Sequence, residues 1–559
     1  MNRRILTLGV AAAAAYFLGI GSQAGLAADR SHAGDLPVGI VKVEGGLVKG
    51  IPSDVVGVQI FKGIPFAGPT GGNERFRAPP PVVPWSGVKV ADSWGDQGLQ
   101  DAVKPGEPPV SEDALNLIVY TPARTSGDRL PVYVQVYGGA NRGGRASEPA
   151  LYASQLAAKG VVVVSVQYRM GPLGFLALPE MAKENPQGTA GNYGILDLVK
   201  ALHWVHDYIG GFGGDPDKVT IGGESSGAEN VTALLRCPLA KGLFKRAFLS
   251  SNFTGFLPGK YVAIEQKVAQ NQREVDRIFG KPTTLADLRA IPAGTYLSPW
   301  LDGKDTLYTT LHDATAKAQF YTVDGYAFTR DSIDLMRPHA LDGLDIMMGG
   351  TSDEYTLLRG GESKTLTPDA FDKAIRSPHG YGNFGVFDDD YKRYYRPDTD
   401  LDAYRLYLRS LSDRQFAGYR ISGEYAKAHN HDFNIYTFYW DHVPPGRDQG
   451  FFGAYHSADL SYFNASLRDT PEQRKWTDPD YRMVHLASSY LANFIRTGNP
   501  NGNGLPHWGQ TTAKSQGQFM RLTDGYGYLV ASTPYPSRDI YNRKLILQAN
   551  GLSEAAIAH

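Results

Sequence analysis

Cysteine is almost absent from this 559-residue sequence, in which Cys237 is the one example. An intrachain disulfide is therefore impossible, and stability must come from a packed core, which suits a chain long enough to bury a high fraction of its surface. Basic residues are not in excess either, since 56 lysines and arginines stand against 57 acidic residues. No basic stripe stands out, so nothing in the charge pattern favours a nucleic-acid partner.

The sequence also lacks a Pro/Ser-rich linker, an internal repeat or a low-complexity run that would divide it. Length alone favours several domains. Hydrophobic residues make up 42% and charged residues 20%, as in an ordinary globular protein. We therefore predict one large domain over residues 28–559. The charged and aromatic region 355–414 is predicted to form a helical, cap-like insertion.

The N-terminal segment has the pattern of an export signal. Arg3 and Arg4 precede the apolar stretch 5–20, and Gly25-Leu26-Ala27 offers small residues at both specificity positions of a cleavage site. This predicts a signal peptide over residues 1–27, export to the periplasm or the medium, and no stable membrane anchor after its removal. A permanent membrane anchor is the alternative. The two arginines also occur in twin-arginine signals, so the choice between export routes stays open.

Strand-like and helix-like segments alternate through the chain. Apolar runs predict strands and a helical spacing of apolar residues predicts helices. The predicted strands are 131–136, 161–166, 218–221, 247–249, 346–348 and 434–439, and the predicted helices are 195–208 and the segment from Gly227 onward. This alternation predicts an α/β fold with a large, mostly parallel, doubly wound central sheet.

A candidate nucleophile lies where one of these strands meets a helix. Gly223-Glu224-Ser225-Ser226-Gly227 is the only GxSxG pattern in the chain. The pattern alone is a weak signal, and an ordinary Gly/Ser turn is the alternative. Its position between a strand and a helix strengthens the interpretation, because that arrangement forces a sharp turn and holds the serine hydroxyl out at the helix N-terminus.

The wider context resembles the type-B carboxylesterase family, which includes para-nitrobenzyl esterases and cholinesterases. The block from Phe212-Gly213-Gly214-Asp215-Pro216 to Ser225 is similar to the family signature. Ser111-Glu112-Asp113-Ala114-Leu115 is similar to its second signature, with Ala114 where a disulfide cysteine is usual. Further matching blocks are 61–67, 167–171, 191–194 and 496–501. The resemblance covers nearly the whole mature chain and implies an α/β-hydrolase fold with helical cap insertions.

A serine hydroxyl needs a base, and the base needs an orienting acid. Among 13 histidines, His456 lies in a block, residues 453–463, that resembles the family's histidine block. Glu354 matches the family's acid, although Tyr355 replaces the usual glycine after it, and Asp353 is the competing carboxylate. The resemblance therefore implies a Ser225–His456–Glu354 triad.

The oxyanion hole is expected from the turn after the strand at 131–136 and from the amide that follows the nucleophile. By resemblance, its donors are the N–H groups of Gly139, Ala140 and Ser226, and an ordinary glycine turn is the alternative. Beyond this turn, Asn141 stands where the family usually has an aromatic residue, and Arg142 and Arg145 follow. Asn141 and Arg142 are therefore candidate substrate-binding residues.

An arginine facing the site would favour esters with a polar or anionic part, because its planar fork suits carboxylates. The alternative is that both arginines point to solvent or pair with acids such as Glu148.

The predicted activity is hydrolysis of small-molecule carboxylic esters through an acyl-enzyme, without a cofactor or metal. His203 and His206 form an HxxH pattern, but no acidic third ligand is evident and the spacing fits a helix surface. Amide or thioester hydrolysis by the same triad is one alternative. A catalytically silent binding protein is the other, and the filled triad positions argue against it. The sequence names neither the physiological ester nor the oligomeric state.

Overall fold

A computed structural model gives the structure of this chain. It describes residues 38–557 except 102, 260, 301–302, 360–363, 379–381, 447, 468–474, 513 and 516. The predicted signal peptide lies outside the described residues and stays a prediction. The described residues divide into two compact units. We call residues 38–245 and 261–333 the nucleophile unit, and residues 246–259 and 334–557 the histidine unit.

The strands are numbered in chain order. They are β1 Ile40–Val43, β2 Gly46–Lys49, β3 Ile51–Pro52, β4 Gln59–Pro65, β5 Val88–Val90, β6 Gln97–Gly98, β7 Val110–Ser111, β8 Asn116–Thr121, β9 Leu130–Val136, β10 Val162–Val166, β11 Gly214–Glu224, β12 Arg246–Ser250, β13 Tyr261–Ala263, β14 Pro299–Trp300, β15 Asp305–Thr306, β16 Tyr321–Val323, β17 Asp345–Thr351, β18 Asn434–Trp440, β19 Phe519–Thr523 and β20 Tyr526–Val530.

The α-helices are numbered in the same way. They are α1 Ser154–Ala157, α2 Gly171–Phe175, α3 Pro179–Glu184, α4 Tyr193–Tyr208, α5 Ser226–Arg236, α6 Ile264–Phe279, α7 Leu285–Ala290, α8 Ala293–Tyr296, α9 Leu307–Lys317, α10 Glu354–Leu358, α11 Pro368–Ile375, α12 Asp400–His429, α13 Gln449–Phe452, α14 Leu460–Phe463, α15 Asp478–Thr497, α16 Pro536–Ala549 and α17 Glu554–Ile557.

In the nucleophile unit, the sheet that carries the candidate site has the strand order β11-β9-β10-β8-β4-β3. Strands β11, β9 and β10 run parallel, whereas β8, β4 and β3 continue the sheet in antiparallel pairs. Every residue of β10 is buried, as expected for a parallel strand covered on both faces. Because parallel strands end at the same edge of a sheet, the turns after β9 and β11 are brought together.

In the histidine unit, the strand order is β20-β19-β18-β17-β12. Strands β12, β17, β18 and β19 run parallel, and β20 closes this edge as an antiparallel hairpin partner of β19. The carboxyl ends of β12, β17 and β18 therefore lie at one edge. The segments that follow these strands contain Ser251, Glu354 and His456.

The region predicted as a cap, residues 355–414, contains helices, but its last helix does not end there. Helix α12 begins at Asp400 and continues for 30 residues to His429, with Thr399 capping its N-terminus. His203 and His206 lie exposed on α4, as the helix-surface interpretation of the HxxH pattern expects. No helix among the described residues is both long and apolar enough to cross a bilayer.

Candidate active site

Ser225 occupies a strained turn between β11 and α5. Its backbone has φ 58° and ψ −131°, a region that residues with a side chain rarely adopt and that occurs mainly where function demands it. The residue is 6% exposed. Since α5 begins at the next residue, the serine lies at the helix N-terminus, where backbone N–H groups lack partners within the helix.

The turn is tight enough to require glycine on both sides of the serine. A Cβ atom added to Gly227 would lie 2.2 Å from the carbonyl oxygen of Val136, at the end of β9. One added to Gly223 would lie 2.5 Å from the carbonyl carbon of Gly227. The two glycines of the GxSxG pattern therefore let β11, α5 and β9 approach one another closely.

The loop after β9 packs directly against this turn. A Cβ atom on Gly138 would lie 2.9 Å from the Cβ of Ser225. The following residues all have positive φ: 113° at Gly139, 59° at Ala140 and 53° at Asn141. This run of unusual conformations turns the backbone of the loop over the nucleophile.

Three backbone amides around Ser225 have no acceptor among the described residues. Within the described part of the chain, the N–H groups of Gly139, Ala140 and Ser226 donate to no protein acceptor. Backbone donors are normally satisfied in folded proteins, and amides left unsatisfied beside a serine are what an oxyanion hole requires. These are the three amides that the family resemblance identified.

Asn141 holds the loop in place through a buried chain of hydrogen bonds. Its backbone N–H donates to Ser226 Oγ at 3.1 Å. Its side-chain oxygen accepts from Asn230 Nδ2 at 2.8 Å, and the Asn230 oxygen in turn accepts from the Tyr321 hydroxyl at 2.9 Å. The side chain is thus engaged within the protein, and the residue is only 2% exposed.

Both arginines that follow the loop have acidic partners. Arg142 Nη2 lies 3.2 Å from Asp101 Oδ2 and donates to Thr309 Oγ1 at 2.8 Å. Arg145 lies 2.8 Å from Glu107 and 3.2 Å from Glu148. Each guanidinium is therefore neutralised locally, which is the arrangement that the alternative interpretation of these two residues expected.

In the histidine unit, His456 and Glu354 form a buried pair. Nδ1 of His456 contacts Glu354 Oε2, and the two residues are 3% and 1% exposed. The ring of Phe253 stacks on the imidazole with a centroid distance of 5.9 Å. A carboxylate at Nδ1 fixes the tautomer that carries its proton there and its lone pair on Nε2, which is the form that a general base needs.

The other oxygen of Glu354 is held by a residue that the sequence analysis missed. Oε1 accepts a 2.5 Å hydrogen bond from Ser251 Oγ and a 2.9 Å bond from the Thr351 amide. Ser251 directly follows β12 and is fully buried with φ 54°. The available signal was its position at the carboxyl end of a predicted buried strand, where functional groups of parallel sheets gather.

Asp353, the competing carboxylate, is engaged elsewhere. Its side chain accepts hydrogen bonds from Ser352 Oγ, Arg409 Nη2 and the Ala454 amide. Of the two adjacent acids, Glu354 is the one that the structure brings to His456.

Known proteins resemble this chain over most of its length. Residues 37–529 match the model of the carboxylesterase family. The chain is 32% identical over 391 residues to fumonisin B1 esterase from Sphingopyxis macrogoltabida, covering 68% of this chain and 67% of that protein. It is 29% identical over 475 residues to para-nitrobenzyl esterase from Bacillus subtilis, covering 83% and 90%.

Among solved structures, a carboxylesterase from Geobacillus stearothermophilus matches with a TM-score of 0.73 and 29% identity, covering 90% of this chain and 99% of the other. This likeness confirms the predicted α/β-hydrolase fold. The chain belongs to the carboxylesterase family and is a serine carboxylesterase.

Proposed function

We propose that this enzyme hydrolyses small-molecule carboxylic esters through Ser225, His456 and Glu354. The observation that carries the proposal is the setting of Ser225, which stands at a strained strand-to-helix turn under a loop of unsatisfied amides. The buried His456–Glu354 pair supplies the base and its orienting acid.

In the proposed acylation step, Ser225 Oγ forms a bond to the ester carbonyl carbon while Nε2 of His456 takes the hydroxyl proton. The tetrahedral intermediate then expels the alkoxide, which leaves as the alcohol after taking that proton. In deacylation, His456 removes a proton from water, which attacks the acyl-enzyme. The acid is released and Ser225 regains its proton. Glu354 orients the imidazole and stabilises its charged form in both steps.

The amides of Gly139, Ala140 and Ser226 are proposed to stabilise the oxyanion of each tetrahedral intermediate. One such donor typically contributes about 3–4 kcal/mol to the transition state. The positive φ of Gly139 and Ala140 supports this role, because such uncommon backbone conformations occur mainly at functional sites.

A matched set of ester, amide and thioester substrates with the same acyl group tests the reaction class. We expect wild type to turn over the ester fastest and Ser225→Ala to lose about 10⁴- to 10⁶-fold in turnover. A wild type that prefers the amide or thioester would support the alternative chemistry. A folded wild type without turnover of any of them would support a silent binding protein.

The substrate panel can be chosen from what related enzymes are named for. These include fumonisin B1, para-nitrobenzyl esters, phenmedipham and cocaine. The preference for polar or anionic esters requires that wild type favour a carboxylate-bearing ester over its neutral analogue and that Arg142→Ala lose this preference. The pairing of Arg142 with Asp101 supports the alternative, in which the charged analogue has no advantage.

We also propose that the protein is exported and that its mature chain begins near Ala28. The support is the basic, apolar and small-residue order of residues 3–27. N-terminal sequencing of protein recovered outside the cytoplasm tests this. An intact leader on membrane-bound protein would contradict it.

A further inference from the structure

Asp353 joins the segment that carries the acid to the segment that carries the histidine. Its backbone N–H donates to the Ala454 carbonyl at 2.9 Å, and its carboxylate Oδ2 accepts from the Ala454 amide at 3.2 Å. Glu354 follows Asp353 directly, and His456 lies just beyond Ala454. Two hydrogen bonds between Asp353 and Ala454 therefore join the two segments right beside Glu354 and His456.

The histidine segment fits closely around this carboxylate. Gly453 has φ 61°, and a Cβ atom added there would lie 2.5 Å from Asp353 Oδ2. A side chain at this position would therefore displace the carboxylate. Thr356 adds a further link, because its hydroxyl donates to the Phe452 carbonyl at 2.8 Å. The connection therefore involves several bonds and close packing.

Arg409, from α12, holds the remaining oxygen of Asp353. Its Nη2 donates to Oδ1 at 2.6 Å, and the two side chains are 17% and 7% exposed. Burying a carboxylate this deeply is costly unless it has such a partner. With Arg409 on one oxygen and the Ala454 amide on the other, the carboxylate cannot rotate without losing a charge-assisted bond.

The Asp353–Arg409 pair lies beside a cavity. The cavity has a volume of about 580 Å³, is open to solvent, and is lined by Arg409, Arg405, Arg521, Tyr439 and Tyr535 among others. Arg521 resembles Arg409 in pairing with an acid that also lines the cavity, since it lies 2.7 Å from Asp441. Small solutes can therefore reach the Arg409 position, and Arg521 provides a matched control.

We propose that Asp353 and Arg409 are a positioning pair that holds His456 on Glu354, an inference that rests on the proposed triad. The pair touches neither substrate nor reacting atoms in this scheme. It fixes the segment around Ala454, and with it the imidazole, which must move protons in both acylation and deacylation. Displacing a catalytic group by about 1 Å can cost on the order of 100-fold in rate.

The test compares Asp353→Asn, Arg409→Ala and the control Arg521→Ala. Exhaustive labelling with a fluorophosphonate counts the competent active sites, and ester turnover is expressed per labelled site. We expect Asp353→Asn and Arg409→Ala to lower kcat per site about 10- to 100-fold with KM nearly unchanged. We expect Arg521→Ala to stay within about twofold of wild type on the same scale. A merely structural role would lower the labelled fraction and leave kcat per site unchanged.

Two further measurements make the test independent of folding losses. Guanidinium chloride at a sub-denaturing concentration should raise the kcat of Arg409→Ala several-fold, because the cavity admits the lost group. Sodium chloride should not raise the kcat of Arg409→Ala. Guanidinium chloride should not raise the kcat of wild type or of Arg521→Ala. Arg409→Lys, which keeps the charge, should retain more activity than Arg409→Ala. The proposal would be overturned if Asp353→Asn kept the wild-type kcat per labelled site. It would also be overturned if Arg409→Ala kept the wild-type kcat per labelled site and did not respond to guanidinium.

Glu354→Gln separates this proposal from the proposed triad. The triad predicts that Glu354→Gln loses much more turnover than Asp353→Asn, because it removes the charge that stabilises the imidazolium. If Glu354→Gln were fully active, the triad would be wrong. If it were inactive while both members of the positioning pair could be changed without loss per site, only the positioning role would be wrong.

Discussion

Ser251 occupies the oxygen of Glu354 that His456 does not use. A hydrogen bond to a charged group contributes about 1.5–3 kcal/mol, and here it fixes which way the carboxylate faces. Ser251→Ala should therefore lower kcat about 10- to 100-fold, less than Glu354→Gln does. Stopped-flow and steady-state turnover of one ester measure this.

Thr437→Val is a matched control for that substitution. Thr437, on β18 of the histidine unit, is buried like Ser251, but its hydroxyl has no hydrogen-bond partner among the described residues. We expect kcat close to that of wild type. A loss in Thr437→Val equal to that in Ser251→Ala would show that the effect comes from packing, not from the bond to Glu354.

At the residue scale, the sequence is informative where the surroundings of a group are local. Ser225 was predicted from a pattern whose strand, turn and helix are contiguous. Ser251 and Arg409 were missed, because their contacts with Glu354 and Asp353 join segments that only folding brings together. Asp353 was recognised as a candidate acid, but the sequence could not reveal that Ala454 and Arg409 would engage its carboxylate.

The strand-to-helix turn around Ser225 is the element whose geometry tolerates least change. Gly227→Ala would force a Cβ to within 2.2 Å of a backbone oxygen in β9. Such overpacking typically costs about 1–3 kcal/mol or more, so the free energy of unfolding should fall by at least that amount. Chemical denaturation of the purified variant measures the loss.

Gly210→Ala is the control, because a Cβ there meets nothing within 4 Å. It should leave the free energy of unfolding nearly unchanged. Equal stability of Gly227→Ala and wild type would show that β9 and α5 are less closely packed than described.

Elements with clear periodicity were predicted well, and the exceptions have physical causes. Strand β10 differs by one residue from the predicted 161–166. Strand β11 begins at Gly214, four residues before the predicted start at 218. The prediction missed these four residues because a glycine, a proline and two aspartates do not form a strand pattern. Helix α12 was recognised only loosely, since much of it is buried all round and its buried positions include polar residues. Tyr355, which stands where the family usually has glycine, is buried, and its hydroxyl donates to Gln415 Oε1 at 2.8 Å.

At the scale of the whole molecule, His312 links stability to pH. Burial in α9, together with the nearby positive charge of Arg142, lowers the pKa of His312 to about 3. Below about pH 6.5, His312 is protonated in the unfolded chain but stays neutral in the folded protein. The free energy of unfolding therefore decreases as the pH falls from about 6.5 toward 3. When the pH is lowered from 7 to 4.5, the free energy of unfolding of His312→Gln should decrease by about 2–3 kcal/mol less than that of wild type.

Denaturation curves at the two pH values measure this difference. His203→Gln, which changes an exposed histidine on α4, should lose as much stability as wild type over the same interval. If wild type and His312→Gln lost the same amount, His312 would not be buried in its neutral form.

The whole-molecule predictions succeeded where family blocks extend along the chain. The α/β-hydrolase fold follows from blocks spread from residue 61 to residue 501. The division into a nucleophile unit and a histidine unit was not predicted. Residues 246–259 belong to the histidine unit, although the segments before and after them belong to the nucleophile unit, and no change in composition marks these boundaries. The single-domain prediction itself stays a prediction.

Fluorophosphonate labelling of the intact enzyme, followed by peptide mass spectrometry, tests the proposal that Ser225 is the nucleophile and that His456 activates it. We predict one adduct, located on Ser225, formed much more slowly in His456→Ala and absent from Ser225→Ala together with ester turnover. An adduct on a different serine, or ester turnover retained by Ser225→Ala, would show that Ser225 is not the nucleophile.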